Sequence, residues 1–125
     1  MTKTEALHKF YSSFGIPAFE QNSVPQGKDK PEFPYLTYDV VTSGFGDVTA
    51  LTLNLWYRSY SWLGVEEKAE EISAALGRGG KIITCDDGAI WLRRGSPFAQ
   101  SMGDPDDELI KRKYINIAAE YLTVD

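Results

Sequence analysis

The sequence predicts an α+β fold in which two helices pack on a mostly antiparallel sheet. Apolar residues recur at helical spacing in two segments and alternate with polar residues at strand spacing in several others. Turn sequences between neighbouring strand segments predict hairpins, and hairpins join antiparallel strands. An amphipathic helix beside such a sheet buries its apolar stripe against it. The length of 125 residues is typical of one domain, so residues 1–125 are treated as a single α+β domain.

The first helix is predicted in the segment TKTEALHKFYSSFGIP. Thr2 and Glu5 have the spacing of a capping box, in which each side chain binds the backbone N–H of the other residue. Gly15 can adopt the left-handed conformation that ends a helix, and Pro17 prevents its continuation. The apolar stripe of this helix consists of Leu7, Phe10, Tyr11 and Phe14.

A long polar loop is predicted at residues 22–34, after a short edge strand at residues 18–21. The loop is rich in proline and polar residues, and loops of this length are often functional. Pro34 suits the first residue of the next strand, because a proline has no N–H to contribute to the sheet.

Two strands, at residues 35–41 and 48–59, are predicted to form a hairpin around residues 42–47. In the first strand, Leu36, Tyr38 and Val40 share one face, and Tyr35 and Thr37 share the other with Asp39 and Val41. In the second strand, the predicted core face is Leu51, Leu53, Leu55 and Tyr57. The face predicted to be more polar holds Ala50, Thr52, Asn54, Trp56 and Arg58.

The second helix is predicted in SWLGVEEKAEEISAALGRGG, where the spacing of apolar residues changes to that of a helix. Glu66 and Glu67 lie in the first turn, where the helix dipole favours carboxylates, and Gly77 is the predicted stop. The stripe that faces the sheet is Val65, Ala69, Ile72 and Leu76.

The remaining chain is predicted to return to strands. Two short strands flank Asp87–Gly88, a strong hairpin signal, and residues 96–108 are predicted to be a loop. The alternating pattern of residues 109–124 predicts one long last strand. Its core face is Ile115, Ile117, Ala119 and Tyr121.

Composition narrows the possible functions. The formal net charge is −5, which disfavours a protein that binds nucleic acid over its whole surface. No apolar run has the length of a transmembrane helix, and the N-terminus lacks the apolar core of a signal peptide. Cys85 is the only cysteine, so no internal disulfide forms, and a reducing cytoplasm is the expected environment.

We expect no catalytic, cofactor or metal site, and therefore no enzyme. His8 is the only histidine and lies off the apolar stripe, so we expect it to face solvent. Cys85 has no basic partner in the pattern and is expected to pack as a small apolar group. The segment GRGG at residues 77–80 lacks the Gly-Lys-Ser/Thr sequence of a phosphate loop.

Two groups of carboxylates are candidate sites. Asp86 and Asp87 flank a hairpin, where aspartate forms turns. The segment GDPDDE contains four acidic residues that either form a solvated loop or hold a hard cation, without the ligand spacing of a calcium loop: Asp104, Asp106, Asp107 and Glu108.

Five basic residues border the last strands: Arg93 and Arg94 end one, and Lys111, Arg112 and Lys113 begin another. If these strands pair, we expect the five charges to gather near one end of the sheet, opposite the acidic loop. Such a patch suits the acidic surface of a neighbouring copy, a phosphate backbone, or a solvated set that protects a strand edge. The negative net charge disfavours nucleic acid.

Surplus aromatic residues indicate an interface. Tyr35 and Trp56 lie on the more polar faces of their strands, the latter beside Arg58. Tyr60 and Trp62 come just before the second helix. Burial explains part of this set, and the rest suits a protein–protein contact.

Short segments carry a resemblance to a known family. They are FGIPAF (14–19), PEFPYLTYDV (31–40), LTLNLWYRS (51–59), the helix VEEKAEEISAAL (65–76) and YINIAAEYLTV (114–124). In this layout the chain resembles the tail terminator and related tail-completion or head–tail connector proteins of long-tailed bacteriophages and prophages.

The resemblance implies a structural, tail-terminator-like subunit without a catalytic motif. Such subunits form a ring, often six-fold, that caps the tail tube, stops its growth and joins the tail to the head. The implied partners are other copies of the chain, the tail tube protein and head–tail connector proteins, with DNA passing through the lumen and no membrane. The implied location is the virion, assembled in the cytoplasm of the host bacterium. The implied contact elements are residues 22–34, 42–47 and 96–108.

Two other functions stay open at this point. One is a small monomeric module that binds a ligand or peptide on the aromatic sheet face around Tyr35, Trp56 and Arg58. The other is a hydrolase or nuclease that uses the acidic loop with a metal ion.

Overall fold

A computed structural model describes residues 1–124 and places two α-helices on one face of a six-stranded sheet. The α+β fold predicted from the sequence is confirmed. Short 3₁₀ turns at residues 12–14 and 27–29 interrupt the connections. The elements are α1 (Lys3–Tyr11), β1 (Ala18–Glu20), β2 (Tyr35–Tyr38), β3 (Val48–Arg58), α2 (Leu63–Leu76), β4 (Lys81–Cys85), β5 (Gly88–Gly103) and β6 (Ile110–Thr123).

The sheet has the strand order β1-β2-β3-β6-β5-β4, so β1 and β4 are its two edges. The β1–β2 pair is parallel, and every other neighbouring pair is antiparallel. Helix α1 contacts both β1 and β4, although these strands lie at opposite edges. The sheet therefore curls around α1, while α2 packs on β3, β5 and β6.

One core lies between the helices and the concave face of the sheet. The predicted stripes of both helices are buried there, as are the predicted core residues of the last strand. In β3, Leu51, Leu53 and Leu55 are fully buried, whereas the residues between them are half-exposed. Strict alternation therefore assigns one face of each central strand to the core.

Helix α1 begins as the sequence predicts. The backbone N–H of Glu5 donates to Thr2 Oγ1 at 3.1 Å, and the N–H of Thr2 donates to Glu5 Oε1 at 3.0 Å. The helix ends at Tyr11, and a 3₁₀ turn brings Phe14 into the core before Gly15 turns the chain with φ of 80°.

The prediction of a loop at residues 96–108 is wrong for its first half, because β5 continues to Gly103. Residues 99–103 pair with residues 115–111 of β6, after an irregularity between Arg94 and Ala99. The alternation of the sequence breaks there at Pro97, which hides the strand. Gly95 allows the break, because a Cβ at this position would lie 2.7 Å from the carbonyl oxygen of Asn116.

Two smaller boundaries also differ from the prediction. Strand β2 ends at Tyr38 rather than residue 41, because the Asp39 carboxylate accepts from both the N–H and the hydroxyl of Thr52, at 2.8 and 2.9 Å. The tight turn of the β4–β5 hairpin is Asp86–Asp87, one residue before the predicted Asp87–Gly88, and Gly88 begins β5.

We expect Leu53→Ala to lower the free energy of unfolding by about 3 kcal/mol, because it leaves a cavity at a fully buried position between sheet and helices. Urea denaturation monitored by circular dichroism measures the change. The control is Leu63→Ala, whose side chain is 63% exposed, and it should change stability by less than about 0.5 kcal/mol. Equal effects at the two positions would contradict the assignment of the core.

Two buried tyrosines differ in their hydrogen bonds. Within residues 1–124 the Tyr11 hydroxyl has no partner, whereas the Tyr121 hydroxyl donates to the carbonyl of Val41 at 2.5 Å. We expect Tyr11→Phe to raise the free energy of unfolding by about 1 kcal/mol and Tyr121→Phe to lower it by about 1 kcal/mol. The same urea experiment at pH 7 tests both; a destabilised Tyr11→Phe variant would show that its hydroxyl has a role in the folded state.

The same tyrosines predict a loss of stability in alkali. Burial raises the pKa of Tyr121 to about 12 and that of Tyr11 further, from an unfolded value of about 10. A group whose pKa is raised by folding stabilises the folded state fully at pH values below its unfolded pKa. For these tyrosines the contribution is therefore present below pH 10 and falls as the pH rises towards 12. Unfolding curves between pH 8 and 11.5 should show this decline, with a shallower decline in Tyr11→Phe.

Candidate functional site: the open face of the sheet

The face of the sheet opposite the helices carries a row of residues in register across four strands. Tyr35 of β2 lies beside Trp56 of β3, which lies beside Arg112 of β6 and, further on, Met102 of β5. The Tyr35 and Trp56 rings stack with centroids 6.3 Å apart and planes 18° apart. The Arg112 guanidinium carbon lies 5.2 Å from the Trp56 ring centroid, within cation–π range. We call these four residues the open-face row.

Polar side chains of the neighbouring positions hold this row in place. The Trp56 indole N–H donates to Thr37 Oγ1 at 2.9 Å, and Arg112 Nε donates to Asn54 Oδ1 at 2.8 Å. Because both polar groups are satisfied, the ring and the guanidinium are ordered before any partner binds. This pre-organisation reduces the entropy lost in a contact.

A shallow groove runs between the open-face row and the start of the 22–34 loop. Its volume is about 300 Å³, and Gln21, Val24 and Gln26 form its outer wall. The floor offers aromatic surface, amide groups and one guanidinium. Such a surface can stack on a ligand and form hydrogen bonds with it.

The five basic residues do not gather at one end of the sheet, so this prediction is wrong. The register places Arg94 opposite Ile117, four residues along β6 from Lys113, a distance of about 13 Å. Strand alternation separates the others, because Arg112 points to the open face and Lys113 to the helix side.

Each of the basic side chains has its own partner in the fold. Arg93 pairs with Glu120 at 3.0 Å and lies 4.1 Å from the centroid of the Trp91 ring, while Arg94 donates to the Ser73 carbonyl at the end of α2. Lys111 lies over the Trp62 ring at 5.6 Å. These contacts make the positive charges structural elements of the sheet and its helix.

Lys113 is the most buried of the set. Its ammonium donates to Glu66 Oε1 at 2.7 Å and to Ser101 Oγ at 2.8 Å, which joins β6 to the first turn of α2. The sequence could not indicate this pair, since its partners are 47 residues apart.

The remaining predicted interface residues, Arg58, Tyr60 and Trp62, lie between the end of β3 and the start of α2. Arg58 pairs with Asp107 at 3.0 Å, and the Leu109 N–H together with this guanidinium holds the pKa of Asp107 below its usual range. Tyr60 is 91% exposed, whereas Trp62 packs against the core. Of these two aromatic residues, only Tyr60 is free for a contact.

His8 and Cys85 lie on the helix side, away from the open-face row. His8 is exposed as predicted, and its Nδ1 lies 2.6 Å from the Tyr38 hydroxyl, a contact that the sequence did not indicate. Cys85 packs partly against the core, as predicted, and burial raises the pKa of its thiol.

The acidic residues between β5 and β6 form a turn. Asp104 accepts from the backbone N–H of Asp106 at 2.8 Å, and Asp107 binds Arg58 and Leu109. Within residues 1–124, no group of three or more histidine, cysteine, aspartate or glutamate side chains has a metal-binding arrangement. No helix in that range is long and apolar enough to cross a membrane.

No known protein family, curated protein or solved structure matches this chain.

We expect Glu66→Ala to lower the free energy of unfolding by about 1–2 kcal/mol, because it leaves the buried Lys113 ammonium without its carboxylate. Combining it with Lys113→Met should recover most of this loss, since no unpaired charge then stays buried. Urea denaturation of the single and double variants measures the coupling. Glu67→Ala, at the exposed neighbouring position, is the control and should be near neutral. Additive losses in the double variant would contradict the pairing.

Proposed function

We propose that this chain is a bacteriophage or prophage structural protein of the tail-terminator or tail-completion class. In this proposal, copies of the chain form a ring that caps the tail tube and joins it to the head. The chain acts through contacts with itself, with the tube protein and with connector proteins, and not as an enzyme.

The open-face row is the observation that carries this proposal. Both helices bury the opposite face. On the open face, Trp56 and Arg112 form an ordered, half-exposed surface beside the Tyr35 ring, which is itself buried under Phe19 and Phe33. Aromatic residues and arginine are the side chains most enriched at the centres of protein interfaces. An ordered row of these types suits a contact with another protein.

The free edges of the sheet support the same proposal. Within residues 1–124, the outer sides of β1 and β4 have no neighbouring strand. An edge strand can extend its sheet into another molecule through backbone hydrogen bonds. A subunit with two unlike edges and an aromatic face has several distinct surfaces, as a ring subunit that also meets a tube requires.

A monomeric binding module is the second candidate, and the groove of about 300 Å³ beside Trp56 favours it. An aromatic floor with polar walls suits an extended peptide. In that case the chain stays a monomer, and a bound peptide raises its melting temperature.

We expect the purified chain to form a multi-subunit ring, alone or on assembled tail tubes, and to be seen at one end of each tube by negative-stain microscopy. Trp56→Ser should weaken binding to the tube or between subunits roughly 30-fold, as loss of an anchor of about 2 kcal/mol does. Analytical ultracentrifugation and co-sedimentation with tubes measure the two contacts.

Leu63→Ser is the matched control, because this exposed residue lies on the helix side of the sheet. It should assemble and bind as the unchanged chain does. A strict monomer that never joins a tube would overturn the proposal. A monomer stabilised by an added peptide, with the effect lost in Trp56→Ser, would instead support the binding module.

A further inference from the structure

We propose that the groove between α1 and β4 receives the outer part of β5 and the acidic turn after it from the next copy of the chain. This inference rests on the proposed ring and names the surfaces that join its subunits. The two surfaces are called the receiving groove (Met1, Ala6, Lys9, Phe10, Ser13 and Lys81–Thr84) and the inserting edge (residues 99–108).

The receiving groove lies along a free strand edge. Its volume is about 350 Å³, and its apolar wall includes Ala6, Phe10 and Ile82, the last of which is 60% exposed. Cys85 and Gly88 flank the two-residue turn and form a hydrogen-bonded pair. Since hydrogen-bonded and non-hydrogen-bonded pairs alternate along an antiparallel ladder, the backbone N–H and C=O groups of Ile82 and Thr84 point away from β5, towards the free edge. The groove therefore offers backbone donors and acceptors beside an apolar pocket, which is the arrangement that accepts an added strand.

The charge of the receiving groove selects an acidic partner. Lys9 and Lys81 are exposed, and within residues 1–124 neither takes part in an ion pair. The N-terminal ammonium at the end of the groove is already paired with Asp86. Two unpaired ammonium groups thus border an apolar pocket, and carboxylates on the incoming strand would neutralise them.

The inserting edge has the complementary features. Strand β4 covers β5 only at residues 88–92, so the outer side of residues 99–103 has no neighbouring strand in the described chain. This free stretch is five residues long, as is β4. It leads directly into the turn that exposes Asp106 and Glu108, neither of which takes part in an ion pair within residues 1–124.

In the proposed ring this contact is head-to-tail, because each copy gives its inserting edge to one neighbour and its receiving groove to the other. A head-to-tail contact repeats from copy to copy and closes into a ring when the rotation between copies permits. The contact also gives a role to both features of this small chain, the basic receiving groove and the acidic inserting edge.

Charge reversal tests the pairing. We expect Lys9→Glu/Lys81→Glu and Asp106→Lys/Glu108→Lys each to weaken self-assembly at least tenfold when tested alone. An equimolar mixture of the two double variants should assemble again, because each copy then meets a copy of opposite charge. Glu67→Lys/Glu70→Lys, which reverses two exposed carboxylates of α2, is the control and should assemble normally. Sedimentation velocity gives the subunit number and affinity, and circular dichroism verifies the fold of every variant.

Disulfide trapping locates the contact independently. In a Cys85→Ala background, a mixture of Thr84→Cys and Gln100→Cys chains should form a disulfide-linked dimer under mild oxidation. Each chain oxidised alone should stay largely uncrosslinked, because the contact joins unlike edges. Both positions are exposed, so the substitutions leave the core intact.

The outcomes separate this inference from the proposed function. Rings that form and cap tubes with every charge variant, without the Thr84–Gln100 crosslink, would overturn the inference and leave the tail-terminator proposal standing. Charge-dependent assembly and the crosslink, without any binding to tubes, would support the inference and overturn the tail-terminator proposal. An unchanged chain that stays monomeric with and without tubes would overturn both.

Discussion

The pairing of β3 with β6 is the constraint on which the rest of the structure depends. Eleven residues of β3 face β6 in continuous register, from Val48 opposite Glu120 to Arg58 opposite Ile110. Because side chains alternate between the two faces, this register sends the leucines of β3 to the same side as Ile115 and Ile117 of β6. A slip of β6 by one residue would move Ile115 and Ile117 to the exposed face and turn Arg112 towards the core. The hydrophobic effect therefore selects this register strongly.

The same register builds the surface opposite the core. Once the aliphatic residues face the helices, Tyr35, Trp56 and Arg112 must lie side by side on the other face, since they occupy the alternate positions of three neighbouring strands. Hydrogen bonds donated by Trp56 to Thr37 and by Arg112 to Asn54 then order the row. Core formation and the ordering of the open face are thus two consequences of one pairing, which suits a subunit whose proposed work is done by its surfaces.

The sheet is finished differently at its two edges, and this asymmetry bears on assembly. At one edge, β1 pairs with β2 over three residues and is followed by the long polar loop. At the other edge, β4 pairs with only residues 88–92 of β5. The receiving groove lies along β4, and the uncovered part of β5 leads into the acidic turn. The head-to-tail contact proposed for the ring joins these two unlike surfaces of the second edge and leaves the β1 edge free.

The sequence alone determined the fold class, both helix stripes, the α1 capping box and the core faces of β3 and β6, because these depend on the spacing of residues near one another in the chain. The tertiary structure decided which strands lie side by side. For that reason the predicted cluster of five basic charges was wrong, β5 continued past Pro97 where local alternation fails, and Lys113 met Glu66 across the domain. Alternation along each strand predicted that Tyr35 and Trp56 lie on the face opposite the leucines. Their stacking with Arg112 depends on the register of strands far apart in the chain, which no local pattern encodes.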